Sequence, residues 1–178
     1  LKNRSFVILA DLVPAETGFP DGVIVAHGGH AGGYVLFVRD RRLHLTYNYV
    51  ATDISTISAE VELPTTAVEV GVRFTRTGAG GEVELRYGDV PVGSGTIPII
   101  TPLTYGTPGF TVGFQPAGPI HPDLLGRAEL PPTVLRRVVI VLQAQSLLVP
   151  KRESEAATRA LEELEDLLKS PDPQTTLV

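Results

Sequence analysis

The chain contains no cysteine, methionine or tryptophan among its 178 residues. The absence of cysteine excludes disulfides, thiolate metal ligands and cysteine nucleophiles. No apolar run approaches the roughly 18 residues that a transmembrane helix needs. The formal net charge of −5 provides no basic surface for a polyanion. We therefore expect a soluble protein that has neither a membrane nor a nucleic acid as its partner.

The lack of methionine also bears on the ends of the sequence. A natural chain starts with methionine, so a sequence that opens at Leu1 and has none is expected to be a piece of a longer or processed protein. Residues 1–13 alternate in polarity and lack the compact apolar region of a signal peptide. Any targeting signal is expected outside this sequence, and the compartment is not indicated.

Turn residues divide the region from Ser5 to Leu142 into short apolar runs. Glycine (18) and proline (15) are plentiful, and the prolines fall mainly between the runs, where a residue that cannot donate to a β ladder belongs. Polarity alternates in 43–49, 68–75 and 82–87, which predicts strands with one buried and one solvated face. Continuous apolar runs predict strands covered on both faces at 6–13, 22–26, 34–38 and 138–142, and 110–114 is a further candidate. The pattern predicts an all-β sandwich or barrel of about nine or ten strands.

The composition changes after Leu142. Residues 143–150 are expected to form a connector, 151–169 an amphipathic α-helix, and 170–178 a flexible tail. The helix has an apolar stripe at helical spacing, formed by Ala157, Leu161, Leu164 and Leu168. This stripe is too short for a stable coiled coil, so it is expected to contact its own or an adjacent domain, with a structural assembly role as the alternative.

The segment from His27 to Gly33 is the most conspicuous motif, because it contains four glycines and two histidines. A β-hairpin whose glycines take positive φ or allow close backbone approach is the favoured interpretation. The alternative is a metal site in which Asp21 joins His27 and His30. A phosphate loop is disfavoured, because a strand rather than a helix follows the glycines.

Several residues could be catalytic or could bind sugars, but each also has a purely structural explanation. Glu60 with Glu62, and Glu82 with Glu84, resemble the paired acids of a glycosidase, but their alternation places both pairs on solvated strand faces. Gly93-Ser94-Gly95 lacks the strand-to-helix elbow of a serine nucleophile. Tyrosines such as Tyr34, Tyr47 and Tyr49 could stack on sugars, although the absence of tryptophan weakens this interpretation. No catalytic or metal-binding residue is predicted.

Four stretches resemble one known family. They are Leu1-Lys2-Asn3-Arg4-Ser5, the run from Gly22 to Asp40 that contains the glycine-rich hairpin, Leu43-His44-Leu45-Thr46-Tyr47-Asn48-Tyr49, and Leu135-Arg136-Arg137-Val138-Val139-Ile140. In this order they resemble the C-terminal domain of large bacterial arylsulfatases. The resemblance covers about residues 1–142, and the hairpin followed by Tyr47-Asn48 is its most specific part.

The resemblance implies a concanavalin-like, two-sheet antiparallel β-sandwich (a jelly roll) packed against a sulfatase catalytic domain in the same parent chain. Such enzymes use a formylglycine made within a Cys/Ser-x-Pro-x-Arg motif, together with a calcium ion. This sequence has no such motif. The resemblance therefore implies a non-catalytic accessory domain that holds no cofactor, with calcium bound by the parent's catalytic domain.

The residues expected to contact a partner depend on which of two functions the chain has. The hairpin is expected to touch the partner domain through His27, Gly28, Gly29, His30, Gly32 and Gly33. The rival is a carbohydrate-binding module that uses Tyr34, Tyr47 and Asn48. Two departures are notable: Asp40-Arg41 stands where relatives often have Asp-Gly, which is expected to alter that turn, and Phe114-Gln115 follows Gly113 where relatives tend to have Arg-Asp.

Overall fold

The computed structural model describes residues 4–101, 109–115, 118, 120–121, 124 and 129–142. The chain divides into two units, Leu1–Gln143 and Ala144–Val178, and every described residue belongs to the first. The predicted connector at 143–150, helix at 151–169 and tail at 170–178 all lie outside the described residues. Among the residues described, no helix has the length and apolarity that a membrane crossing requires.

In the part of the chain that the structure describes, ten strands form two antiparallel sheets of five strands each. The first sheet has the order β10-β1-β6-β7-β8 and the second has the order β5-β4-β3-β2-β9. The strands are β1 (Phe6–Leu12), β2 (Gly22–Gly29), β3 (Gly32–Arg39), β4 (Arg42–Tyr49), β5 (Asp53–Ser58), β6 (Val68–Thr77), β7 (Gly80–Tyr87), β8 (Val90–Ile97), β9 (Phe110–Val112) and β10 (Leu135–Leu142).

The two sheets pack face to face around one apolar core. Alternate residues of β1, β6 and β7 contribute Ile8, Val72 and Leu85 to this core, and the second sheet contributes Leu36 and Leu45. This period of two is what buries one face of each strand. The all-β sandwich that the alternation predicted is therefore confirmed, and the number of strands is at the upper end of the expected range.

The sandwich is closed along the side where β5 lies against β8. The Glu60 amide donates to the carbonyl of Val92 (2.7 Å), so a backbone hydrogen bond joins the two sheets there. A Cβ atom on Gly93 would lie 2.6 Å from the carbonyl oxygen of Ser58. Only glycine permits this approach, because any side chain would force the sheets apart. No bounds were predicted for either strand, since β5 exposes most of its residues and β8 contains Pro91 and two glycines.

The second sheet is covered on both faces, which corrects the solvated face predicted for β4. Thr46 and Asn48 are buried on its outer face. A second apolar cluster lies there, formed by Val23, Ala26, Val35, Phe37, Ile120 and Leu124. Ile120 and Leu124 come from the segment after β9. Because these covering residues are far from β4 in the sequence, the sequence of β4 itself does not reveal that its outer face is buried. Conversely, β1 and β10 were predicted to be covered on both faces, but their outer residues are only half-buried.

The β3–β4 turn retains the backbone of a favoured hairpin despite its unusual sequence. Asp40 and Arg41 both have positive φ, 49° and 58°, which is the combination of a type I′ turn. The expected change of turn type is therefore wrong, and Arg41 adopts the conformation that glycine would take more easily. The amide of Asp40 donates to Asp21 Oδ1 (2.9 Å), which helps to hold the turn.

Candidate functional site

The glycine-rich segment forms the β2–β3 hairpin, with His30 and Ala31 at its turn. Gly28 pairs with Gly33 across the hairpin, and both have positive φ, 103° and 141°. A Cβ atom on Gly28 would overlap the carbonyl oxygen of Gly32, and one on Gly33 would overlap that of His27. These glycines are therefore needed by the hairpin backbone itself, whether or not a partner binds there.

Asn48 holds this hairpin in place. Its side chain is 2% exposed, and Nδ2 donates to the carbonyls of His30 (3.1 Å) and Ile120 (3.0 Å). Its Oδ1 accepts from the amide of Ala51 (2.8 Å). One buried amide thus connects the β2–β3 turn, the β4–β5 turn and the segment that covers the outer face. This network gives Asn48 a structural role.

Tyr34 belongs to the core between the sheets. It is 4% exposed, and its ring stacks on Phe6 with the centroids 5.5 Å apart. Its hydroxyl is buried and has no hydrogen-bond partner within the described part of the chain. Burial raises the pKa of the Tyr34 phenol far above its ordinary value of 10.0, so the ring remains neutral. A ring packed in this way offers no open face for stacking on a sugar.

Tyr47 is half-buried and fixes the segment that follows β8. Its hydroxyl oxygen accepts from the backbone amide of Thr101 (2.8 Å) and lies 3.0 Å from the Thr101 hydroxyl. Tyr34 and Tyr47 are direct partners across β3 and β4. The structure therefore brings the two tyrosines and Asn48 to one end of the second sheet, but all three are engaged within the protein.

The histidines of the hairpin do not converge with Asp21. His27 lies near the rings of Tyr34 (5.7 Å) and Phe110 (6.5 Å), whereas His30 is in the exposed turn. Asp21 precedes the opposite end of β2, roughly 20 Å from His27 along an extended strand. Within the described part of the chain, no group of three His, Cys, Asp or Glu residues could hold a metal ion. The geometry thus removes the alternative metal site.

His44 occupies the covered outer face of the second sheet. Its ring stacks on Phe37 with centroids 5.1 Å apart, while Nδ1 lies 2.8 Å from the Ser58 hydroxyl and Nε2 lies 3.1 Å from the Arg39 carbonyl. These partners fit a neutral ring that donates from Nε2 and accepts at Nδ1. Desolvation by burial is the main reason that the pKa of His44 is lowered below 6.5.

Glu82 and Glu84 lie on the outer face of β7, as the alternation predicted. The prediction was wrong for Glu60 and Glu62, because they lie in the loop that follows β5. Glu62 forms an ion pair with Arg41 (3.3 Å), and Glu84 forms one with Arg86 (3.5 Å). Ser94 lies inside β8, so the strand-to-helix elbow of a serine nucleophile is absent at this position.

The side of the sandwich opposite β5 and β8 exposes apolar side chains. Here β9 and β10 are the outer strands of their sheets, and β10 has no fully buried residue. Four of the seven exposed large hydrophobic residues in the described part of the chain lie here: Phe110, Val112, Phe114 and Leu142. We call these four residues the apolar edge. Sequence reasoning gave 110–114 as a strand but missed its exposure, which depends on the order of the strands.

Comparisons with known proteins add little to this description. No family model and no curated protein matches the chain. Among solved structures, the chain is similar to the native heptameric SAP-like pentraxin from Limulus polyphemus, with 13% sequence identity and a TM-score of 0.45. The similarity covers 77% of this chain and 63% of the pentraxin chain. The chain therefore spans less than two thirds of that protein.

Proposed function

We propose that this chain is the non-catalytic accessory domain of an arylsulfatase-like sulfuric-ester hydrolase, and that it packs against a larger catalytic domain through the apolar edge. In this proposal the sandwich is a concanavalin-like jelly roll. The parent's catalytic domain supplies the formylglycine and binds calcium. The residues of this chain contribute a docking surface and take no part in bond cleavage.

The apolar edge is the observation that supports this proposal. Isolated exposed hydrophobic residues are common on soluble proteins. Three of these four residues, however, lie within five consecutive positions of β9 and the segment after it, and grouped exposure of this kind favours an interaction surface. Phe110 also lies beside His27, at the end of the hairpin that the family resemblance picks out. The amides and carbonyls of an outer strand add hydrogen-bonding capacity to such a surface.

The two rival functions have less support. The carbohydrate-binding alternative relied on Tyr34, Tyr47 and Asn48, and the described contacts engage all three within the fold. The assembly alternative relied on the stripe formed by Ala157, Leu161, Leu164 and Leu168, which lies outside the described residues. The accessory role is therefore the function that the described geometry favours.

The first test is the reading frame upstream of Leu1. We expect it to encode a sulfatase domain with a Cys/Ser-x-Pro-x-Arg motif, and the full-length protein to hydrolyse 4-nitrocatechol sulfate. A reading frame that starts close to Leu1 would remove the proposal, as would turnover of this substrate by residues 1–178 alone.

The second test addresses the docking surface in that full-length protein. The double variant Phe110→Ser with Phe114→Ser should weaken packing between the domains and accelerate limited proteolysis between them. The control Val61→Ser with Val90→Ser replaces exposed apolar residues away from the edge and should leave the cleavage rate unchanged. Equal cleavage rates in both variants would contradict docking through the apolar edge.

A further inference from the structure

A polar groove crosses the outer face of the first sheet, away from the apolar edge. It spans β6, β7 and β8, has a volume of about 340 Å³ and is open to solvent. Two cross-strand rows of side chains line it. The first row is Arg73, Glu84 and Ser94, and the second row is Thr75, Glu82 and Thr96.

The shape of the groove follows from the sizes of these side chains. Long side chains stand on β6 and β7, whereas β8 carries the short Ser94 and Thr96. Between the rows, Val83 and Gly95 expose only backbone to the groove, because the side chain of Val83 is buried in the core and the Cβ position of Gly95 faces Ile57. The result is a floor of backbone with polar walls.

The groove presents a set of largely solvent-exposed hydrogen-bonding groups. Two carboxylates accept, one guanidinium donates, and three hydroxyls can do both. Within the described part of the chain, only Glu84 among the six side chains has a protein partner, the ion pair with Arg86 at 3.5 Å. The other five are available to a ligand at no cost in broken protein contacts.

This chemistry narrows the class of ligand. The six side chains are polar, so the groove does not suit an apolar molecule. Two carboxylates outnumber the single guanidinium of Arg73, which disfavours sulfated or carboxylated ligands. The two carboxylates also fall short of the set of three His, Cys, Asp or Glu residues that a metal site would require here. A molecule dense in uncharged hydroxyls satisfies all these groups, because it donates to the carboxylates and accepts from Arg73.

The geometry points to a binding site for a neutral saccharide in this groove, with Glu82, Glu84 and Arg73 as its principal hydrogen-bonding residues. The site gives the chain a ligand of its own, in addition to the docking role proposed above. It does not depend on that role, because the groove and the apolar edge share no residue. It is also a different surface from the tyrosines first considered for sugar binding.

Isothermal titration of residues 1–178 with a panel of saccharides tests the inference. The probes are cellobiose, lactose, maltose, N-acetylglucosamine and galactose 6-sulfate. We expect saturable binding of at least one neutral probe with a dissociation constant of about 1 mM or tighter. The sulfated probe should bind more weakly than the neutral ones.

Matched variants locate the site. Glu82→Gln with Glu84→Gln should weaken binding at least about tenfold, since hydrogen bonds to charged groups are the stronger ones. Glu60→Gln with Glu62→Gln removes the same charge at another exposed acidic pair and should leave the affinity unchanged. Circular dichroism spectra that match the unmodified protein confirm that both variants fold.

Several results would overturn the inference. Failure of every neutral probe to bind at concentrations near 10 mM, roughly tenfold above the expected dissociation constant, is one. Equal loss of affinity in both double variants is another, and a preference for galactose 6-sulfate over the neutral probes is a third. None of these results would affect the accessory-domain proposal, whose tests concern sulfatase activity and domain packing.

Discussion

At the scale of single residues, the most informative side chain is Asn48. A buried amide is expensive unless its donors and acceptor are satisfied. The side chain of Asn48 makes hydrogen bonds to backbone groups on three separate segments: those of His30, Ile120 and Ala51. This position therefore ties one end of the sandwich together.

We expect Asn48→Ala to reduce the free energy of unfolding by about 2 to 3 kcal/mol, because it leaves buried carbonyls without a donor. Urea denaturation followed by circular dichroism measures this loss. Thr77→Ala removes an exposed polar side chain at the end of β6 and should change the free energy by less than about 0.5 kcal/mol. Similar losses in the two variants would contradict the structural role of Asn48.

His44 makes stability depend on pH. Its lowered pKa means that the folded state disfavours the charged ring relative to the unfolded state. Its stabilising contribution is therefore present above pH 6.5 and is lost as the pH falls through that value. The charges of Arg39 and Arg42 also lower the pKa of His44, whereas that of Asp40 raises it. Phe37, which stacks on His44, also lies near the ring of His121.

We expect the free energy of unfolding to decrease between pH 7.5 and 5.5, with a smaller decrease in His44→Gln. Urea denaturation at a series of pH values provides the measurement. His30→Gln changes a histidine in the exposed β2–β3 turn and should retain the slope of the unmodified protein. A slope that is the same in all three proteins would show that His44 is not responsible.

At the scale of elements, the β2–β3 hairpin shows how close backbone approach selects glycine. Gly33 and Gly78 both have positive φ, 141° and 60°. They differ in their surroundings, because a Cβ atom on Gly33 would overlap the backbone of His27, whereas one on Gly78 would meet open space. The same substitution at the two positions therefore compares a glycine that is required by both overlap and an unusual φ with one that is required by a left-handed φ alone.

Gly33→Ala should reduce the free energy of unfolding by more than about 3 kcal/mol, since the two strands must move apart. Gly78→Ala should reduce it by only about 1 kcal/mol, which reflects the left-handed conformation alone. Thermal or urea denaturation of the two variants provides the comparison. A loss at Gly78 as large as that at Gly33 would mean that the close approach is not decisive.

The sequence predicted correctly those strands and turns that have a recognisable pattern within their own residues. Alternation located β4, β6 and β7, and the glycines located the hairpin. Two strands lack such a signal, and no bounds were predicted for them: β5 is largely exposed, and β8 carries Pro91 and glycines. The burial of Thr46 and Asn48 was also missed, because their cover comes from residues such as Ile120, far away in the chain.

At the scale of the whole molecule, the two long sides of the sandwich differ. The β5/β8 side is joined by the hydrogen bond from Glu60 to Val92 and tolerates only glycine at position 93. The β9/β10 side carries the apolar edge. No local pattern in the sequence predicts this asymmetry, because it arises from which strands become neighbours. The polar groove was missed for the same reason, since its two rows combine three strands.

Amide hydrogen exchange should report this asymmetry. We expect slow exchange in β5 and β8 near their contact, and faster exchange in β9 and β10, because protection follows buried apolar contact. Mass spectrometry on peptides from each strand measures the rates at neutral pH. Faster exchange on the β5/β8 side than on the β9/β10 side would contradict the proposed difference in local stability.

The pairing of β1 with β10 has a consequence for protein engineering. Phe6, the first residue of β1, lies directly opposite Leu142, the last residue of β10. Polypeptide therefore enters and leaves the sandwich at a single corner. Domains with adjacent ends can be inserted into a surface loop of an unrelated host with little distortion of either partner. A segment cut at Phe6 and Leu142 is thus suited to transplantation in the middle of another chain as well as at its end.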